Sequence, residues 1–306
     1  MALLEGQANM GNHTNVFEEA AYNPKPSSDA LQNIKESWNS KAGAASYEKR
    51  TLECSREIAQ HLIFAAPQIA PGARVLDNAC GTGIVTKELL KTYTDIHIDA
   101  VDFSDGMIDV IRPVVQQEGW TDRVNIAKMN GTDLKFEDGI FDVSLTNFAI
   151  FFFPEAHKGA KELYRTLKPG GTAALTAWQY FGWLPVLHEI QKTVKPNDPP
   201  FAVPLLEKWH KKETMVETLK AGGFLQSKIR MSMQEVMYLD QNIEELAGSL
   251  AGLMEPMMKS IWDLEEQGGM RGALLRVFQT QGDRFLVKKD GKVGLKLVAW
   301  LALATK

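Results

Sequence analysis

The stretch Arg74-Val75-Leu76-Asp77-Asn78-Ala79-Cys80-Gly81-Thr82-Gly83 constrains the fold of this chain more than any other. Apolar positions run into an aspartate, a turn of small residues follows, and a helix-compatible run from Ile84 to Lys91 comes next. That order predicts a buried strand, a tight turn and a helix. Gly81 and Gly83 carry no Cβ, so a ligand can approach the main chain of the turn closely. A second strand, Ile96 to Val101, ends in Asp102. A carboxylate there can accept hydrogen bonds from both hydroxyls of a ribose. Strand, glycine turn, helix, strand and acidic residue together predict a nucleoside-binding α/β domain.

The alternation continues along the chain. Strands are expected at 74–78, 97–101, 125–129, 141–146, 172–178, 225–238 and 295–304. Helices are expected at 83–92, at 104–118 with Ser104 as N-cap, at 155–166, at 213–221 and over 243–278. Lys168-Pro169-Gly170-Gly171 reads as a C-cap and turn before the fifth strand. Strands alternating with helices predict a mostly parallel, seven-stranded sheet with helices on both faces. The expected organisation is a loose tail at 1–30, an N-terminal helical cap at 31–70 and a nucleotide-binding core at 71–180. An inserted segment at 181–212, rich in proline and tryptophan, would cap the substrate. Residues 213–306 would complete the sheet, with a helical insertion at about 240–285. In the cap, Leu31, Ile34 and Trp38 mark one helical face and Leu52, Ile58 and Leu62 another, with Gly43 as a break between helices.

Composition narrows the partners. The chain has 306 residues, 44% hydrophobic and 24% charged, with a net charge of −4, which suits a globular protein. No basic block is present, which argues against a nucleic-acid partner. No apolar run is long enough to span a bilayer, and the N-terminus lacks the basic start and apolar run of a signal peptide. The two cysteines, Cys54 and Cys80, read as reduced thiols, and a cytoplasmic location is expected. No Cys-x-x-Cys or His-x-x-x-His spacing is present, and no metal is expected.

The order of motifs resembles the class I S-adenosylmethionine-dependent methyltransferases. Asp77 to Gly83 resembles the family's first motif. Val101-Asp102-Phe103-Ser104 with Met107 resembles the second, whose acidic residue holds the ribose. Phe136-Glu137-Asp138-Gly139-Ile140-Phe141-Asp142 resembles the segment leading into the fourth strand. Leu167-Lys168-Pro169-Gly170-Gly171 and Ala221-Gly222-Gly223-Phe224 resemble the turns before the fifth and sixth. A dinucleotide-binding oxidoreductase would want Gly-x-Gly-x-x-Gly, and the third glycine position here is Thr86. Asp77-Asn78-Ala79-Cys80-Gly81, Glu118-Gly119-Trp120, and Ala177-Trp178-Gln179 followed by Trp183-Leu184-Pro185 resemble fungal small-molecule methyltransferases of secondary metabolism.

The resemblance implies a Rossmann-like fold and S-adenosylmethionine as methyl donor, with S-adenosylhomocysteine as product. Asp77 would meet the ligand's ammonium, or else cap its turn. Ala79, Gly81 and Gly83 would line the methionine portion. Asp102 would take the ribose hydroxyls, or else act on the dipole of the following helix. Phe103 and Met107 would flank the adenine or belong to the core. Asn130 would meet the adenine edge, with Gly131 and Thr132 supplying further contacts. Asn147 and Phe148 would close the pocket beneath the sulfonium, and Tyr47 would cover the methionine end.

The acceptor pocket is expected from the segments that depart from the core. Trp38, Phe152, Trp178, Trp183, Trp209, Met254 and Met258 would make it apolar and aromatic, suited to a hydrophobic small molecule. The alternative for these residues is helix packing. Among His157, His188 and His210, His188 is the candidate base, although methyl transfer requires alignment more than a base. The expected reaction is methylation of a sulfur, oxygen or nitrogen atom by a monomer or homodimer. The alternative is a non-methylating cyclase or regulatory protein that binds the same ligand.

Overall fold

Val75 and Leu76 are neighbours on one strand and both fully buried. Side chains of successive strand residues point to opposite faces, so this strand is covered on both. In the computed structural model, which describes residues 36, 38–203, 206–258 and 262–306, it is β1, Ala73–Asn78. The tail predicted for 1–30, together with Leu31, Ile34 and the side chain of Leu52, lies outside the described residues.

β1 is flanked by β2, Ile96–Asp102, and β4, Phe141–Thr146, and β2 pairs in turn with β3, Val124–Lys128. These pairs are parallel, as is β4 with β5, Leu167–Phe181. The other half is antiparallel. β8, Lys292–Thr305, lies between β5 and the edge strand β6, Ile229–Asp240. The order β3-β2-β1-β4-β5-β8-β6 is the predicted mostly parallel, Rossmann-like sheet. A short β7, Val287–Lys289, adds an eighth strand on β8. The sequence reading missed it, although Asp290-Gly291 is a hairpin signal and both residues adopt positive φ, 51° and 76°.

The crossovers after the first two strands are α2, Ile84–Thr92, and α3, Asp105–Gln117; α4, Ala156–Thr166, precedes β5. α5, Trp183–Val194, and α6, Leu206–Trp209, fall in the predicted insertion, and α7, Lys212–Gly222, precedes β6. The last crossover holds α8, Ile243–Met258, and α9, Gly269–Phe285.

Three expectations need correction. Gly43 does not break the cap: α1, Lys41–Ala65, passes through it as one helix. Ser40 is the N-cap, and its Oγ accepts from the Gly43 amide at 3.1 Å, so the glycine sits in a first turn whose donor is satisfied. The stretch 243–278 is not one helix: α8 ends at Met258, and α9 starts only after Gly268, its N-cap, which adopts φ 74°. The fifth strand begins at Leu167, pairing with Phe141 before a register shift, so the Pro-Gly-Gly turn lies within β5.

Candidate active site

The turn after β1 carries a run of left-handed backbone: Ala79 at φ 58°, Gly81 at 54° and Gly83 at 83°. Two of these are glycine, as that conformation favours. Gly83 is also constrained by space, since a Cβ there would lie 2.4 Å from Ile111 Cδ1 on α3. Asp77, buried at the end of β1, accepts from both the amide and the hydroxyl of Thr86, at 3.1 and 2.7 Å, through one oxygen, Oδ2. Thr86 thus occupies the third-glycine position with a side chain that ties α2 to the carboxylate. Burial lifts Asp77 to about 7, against the opposing Thr86 bonds, and Asp102 nearby adds to the rise.

Asp102 closes the other side of the turn. Its Oδ2 accepts from the Gly81 amide and its Oδ1 from the Ser104 amide, both at 2.9 Å. Burial raises its pKa, and the main-chain donors hold the rise back. Ser104 caps α3, accepting from the Met107 amide at 3.2 Å while its hydroxyl donates to the Trp38 carbonyl at 2.7 Å. Trp38, just before α1, is therefore fastened to the start of α3. Gly106 permits this contact, because a Cβ there would lie 2.3 Å from the Trp38 carbonyl oxygen.

At the end of β4, Asn147 Oδ1 accepts from Thr176 at 2.7 Å, and Phe148 adopts φ 52°. The Phe148 ring stacks on Trp178 with centroids 4.0 Å apart and planes at 10°. Beyond β3, Asn130 Oδ1 accepts from the amide and hydroxyl of Thr132, which leaves its Nδ2 group for other partners.

These strand ends enclose a cavity of about 290 Å³, close to the lower end of small-molecule sites, roughly 300 Å³. Of the predicted donor-side residues, Tyr47, Asp77, Ala79, Gly81, Asp102, Phe103, Met107, Asn130, Gly131, Asn147 and Phe148 all line it. Gly83 and Thr132 do not: the first packs α2 against α3, and the second orients Asn130. Trp38 and Phe152 also line it, their rings edge to face at 4.8 Å, with Tyr47 edge-on to Trp38 at 5.4 Å. Burial raises the Tyr47 hydroxyl above its ordinary value.

The other residues expected on the acceptor side do not line this cavity. Trp178 lies behind Phe148, Trp183 stacks on Phe181 at 4.6 Å, and Trp209 packs near Phe151 at 6.3 Å. Met254 and Met258 are buried in the core. His188 is not brought to the cavity either, its Nε2 lying 2.8 Å from the Phe201 carbonyl oxygen. In each case the aromatic or apolar surface finds protein partners first. Sequence reading missed Ser55 and Met129, together with Phe153 and Pro154 after the Phe152 run, which also line the cavity. The run Phe151-Phe152-Phe153 before Pro154 was the available signal for the last two.

The lining fits a cationic nucleoside. Asp77 and Asp102 are its carboxylates, and no Lys, Arg or His stands among the described lining residues. Two buried carboxylates facing one cavity call for donors or positive charge from the ligand. Among the described residues, no group of His, Cys, Asp or Glu is arranged to hold a metal ion.

Comparison with known proteins agrees with this fit. A family model described as a methyltransferase domain matches residues 75–171. A demethylmenaquinone methyltransferase of Clavibacter sepedonicus is 32% identical over 51% of this chain and 68% of its own length. An acetylaranotin bis-thiomethyltransferase of Aspergillus terreus is 30% identical over 61% of this chain and 64% of its own. Among solved structures, a Haemonchus contortus phosphoethanolamine N-methyltransferase in complex with S-adenosylhomocysteine shares the fold. Its TM-score is 0.56 at 17% identity, covering 90% of this chain and 60% of that one. Motif order, sheet topology, the carboxylate-lined cavity and these relatives lead to one assignment: the chain belongs to the class I S-adenosylmethionine-dependent methyltransferases.

Proposed function

We propose that the protein methylates a sulfur, oxygen or nitrogen atom of a hydrophobic small molecule in secondary metabolism. The observation that carries this reading is the aromatic part of the cavity lining. Trp38, Tyr47, Phe152 and Phe153 face the cavity there, and no cation lines it among the described residues. Such a wall suits an apolar or aromatic acceptor and offers nothing to a phosphate backbone. The thiomethyltransferase activity in the name of one fungal relative agrees with a heteroatom target. No helix among the described residues is long and apolar enough to cross a membrane. The proposed setting is cytoplasmic, as a monomer or homodimer, with neither nucleic acid nor membrane as partner.

S-adenosylmethionine supplies a methyl group activated by the positive charge on its sulfur. In the proposed arrangement Asp102 takes the ribose hydroxyls and Asp77 takes the ammonium with the oxygen that Thr86 leaves free. Phe103 and Met107 flank the adenine, and Asn130 offers Nδ2 to its edge. Asn147 and Phe148 lie beneath the sulfonium, with Tyr47 above the methionine end. Trp38, Phe152 and Phe153 exclude water and align the acceptor, so orientation and desolvation carry the rate.

The test is incubation of the purified chain with S-adenosylmethionine labelled in its methyl group and panels of apolar thiols, phenols and amines. Products are read by mass spectrometry. Labelled thioethers, ethers or methylamines are expected. Transfer only to carbon would overturn the heteroatom assignment. Tight donor binding without transfer to any acceptor would favour a non-methylating role.

A further inference from the structure

We infer that Thr176, which does not line the cavity, is the positioning residue for its β4 wall. The inference rests on the reading that Asn147 and Phe148 meet the methyl donor.

Thr176 is fully buried on β5. Its hydroxyl offers one proton and two lone pairs. The proton goes to Asn147 Oδ1 at 2.7 Å, and the oxygen accepts from the Phe148 amide at 2.8 Å. One side chain thus governs two consecutive cavity residues. With Oδ1 engaged, Asn147 turns its Nδ2 toward the Ser55 carbonyl of α1, 3.5 Å away. The link therefore runs from β5 through the cavity wall to the cap helix.

Phe148 needs such a hold. Its φ of 52° lies in the left-handed region, which is disfavoured for a residue with a Cβ. Two contacts from β5 keep it there: the Thr176 hydroxyl on its amide, and Trp178, two residues further along, on its ring. Valine has the shape of threonine without the proton or the lone pairs. Thr176→Val would strand a buried amide and a partly buried amide oxygen, and would set a methyl group where a 2.8 Å polar contact stood.

The test measures S-adenosylhomocysteine affinity by titration calorimetry, with Tm recorded for every variant. Losing two hydrogen bonds, one buried and one partly buried, Thr176→Val is expected to weaken binding by about tenfold or more. Thr176→Ser, which keeps the hydroxyl, is expected to stay within about threefold of wild type. Asn147→Ala combined with Thr176→Val should cost less than the sum of the single changes, since both act through one bond. Should Thr176→Val not fold, Thr176→Ala carries the same expectation, because it removes the hydroxyl without adding bulk beside Phe148. Wild-type affinity in the valine or alanine variant, equal losses in the serine and valine variants, or full additivity with Asn147→Ala would each overturn the inference. A wild-type chain that fails to bind S-adenosylhomocysteine would overturn the site reading and the inference with it, and is told apart by the wild type alone.

Discussion

At the carboxyl ends of β1 and β2, polar side chains face a cavity because the backbone leaves them there. Asp77 and Asp102 are each held by local donors within or beside the glycine turn. Across the sheet, around β5 and α5, large rings face one another. Phe148, Trp178, Phe181 and Trp183 form a ladder with successive centroid separations of 4.0, 5.1 and 4.6 Å. Only its first member lines the cavity. Both regions are rich in residues that bind ligands in other proteins. The first uses them on a ligand-sized space and the second on itself, because short turns fix direction locally whereas rings settle wherever long-range packing is best.

If this contrast holds, changes in the ladder beyond Phe148 and Trp178 should cost stability and changes at the turn should cost binding. The largest effect is expected for Trp183→Ala. Removing a buried ring should lower the unfolding free energy by about 3–5 kcal/mol in urea melts. S-adenosylhomocysteine affinity of the folded fraction should stay within about twofold. A large loss of affinity there would place the ladder in the site and end the distinction.

Asp102→Ala should do the reverse. It strips two amides of their charged acceptor and the proposed ribose contact of its partner, so affinity should fall by about a hundredfold. Calorimetry measures it, and a loss of less than about fivefold would remove Asp102 from the donor site.

The third prediction concerns pH. Asp77 stands at about 7, above its ordinary 3.8. Between those values the folded chain holds a proton that the unfolded chain has released, so this group's contribution to stability falls as pH rises. Binding of an ammonium needs the carboxylate, so affinity should rise with pH, by about tenfold per unit below 7, and level off above it. Titrations from acid to mildly alkaline pH give the slope, and Asp77→Asn should flatten it. The smallest effect is expected for His188→Gln, which should leave kcat/KM within about threefold, because the ring bonds the Phe201 carbonyl away from the cavity.

The contrast also explains what was legible in the sequence. Buried strands, the glycine turn and the acidic residue after β2 are written in short windows, where residue type and backbone requirement coincide. Hence the sheet and eleven of the residues that line the cavity are legible in the sequence. Gly83 and Thr132 were placed one step too close, since glycine is needed equally for a ligand's approach and for a helix's, and here Ile111 is the neighbour. The acceptor side was not legible for another reason. Whether Trp209 meets a ligand or Phe151 depends on residues far apart in sequence, and periodicity carries no record of them. Gly43 misled because a glycine in a first turn looks the same on paper as one between two helices.

Thr86 has one more consequence. Because it takes both bonds on a single oxygen of Asp77, the carboxylate has lost its rotational freedom before any ligand arrives. That loss of entropy belongs to folding, where the rest of α2 shares it, and not to association. A ligand meeting Asp77 therefore finds an acceptor already aimed and already buried, and the unfavourable part of the encounter is dehydration of the ligand's ammonium. Binding at this point should carry an enthalpic signature, with little of the entropic opposition that ordering a free side chain would bring.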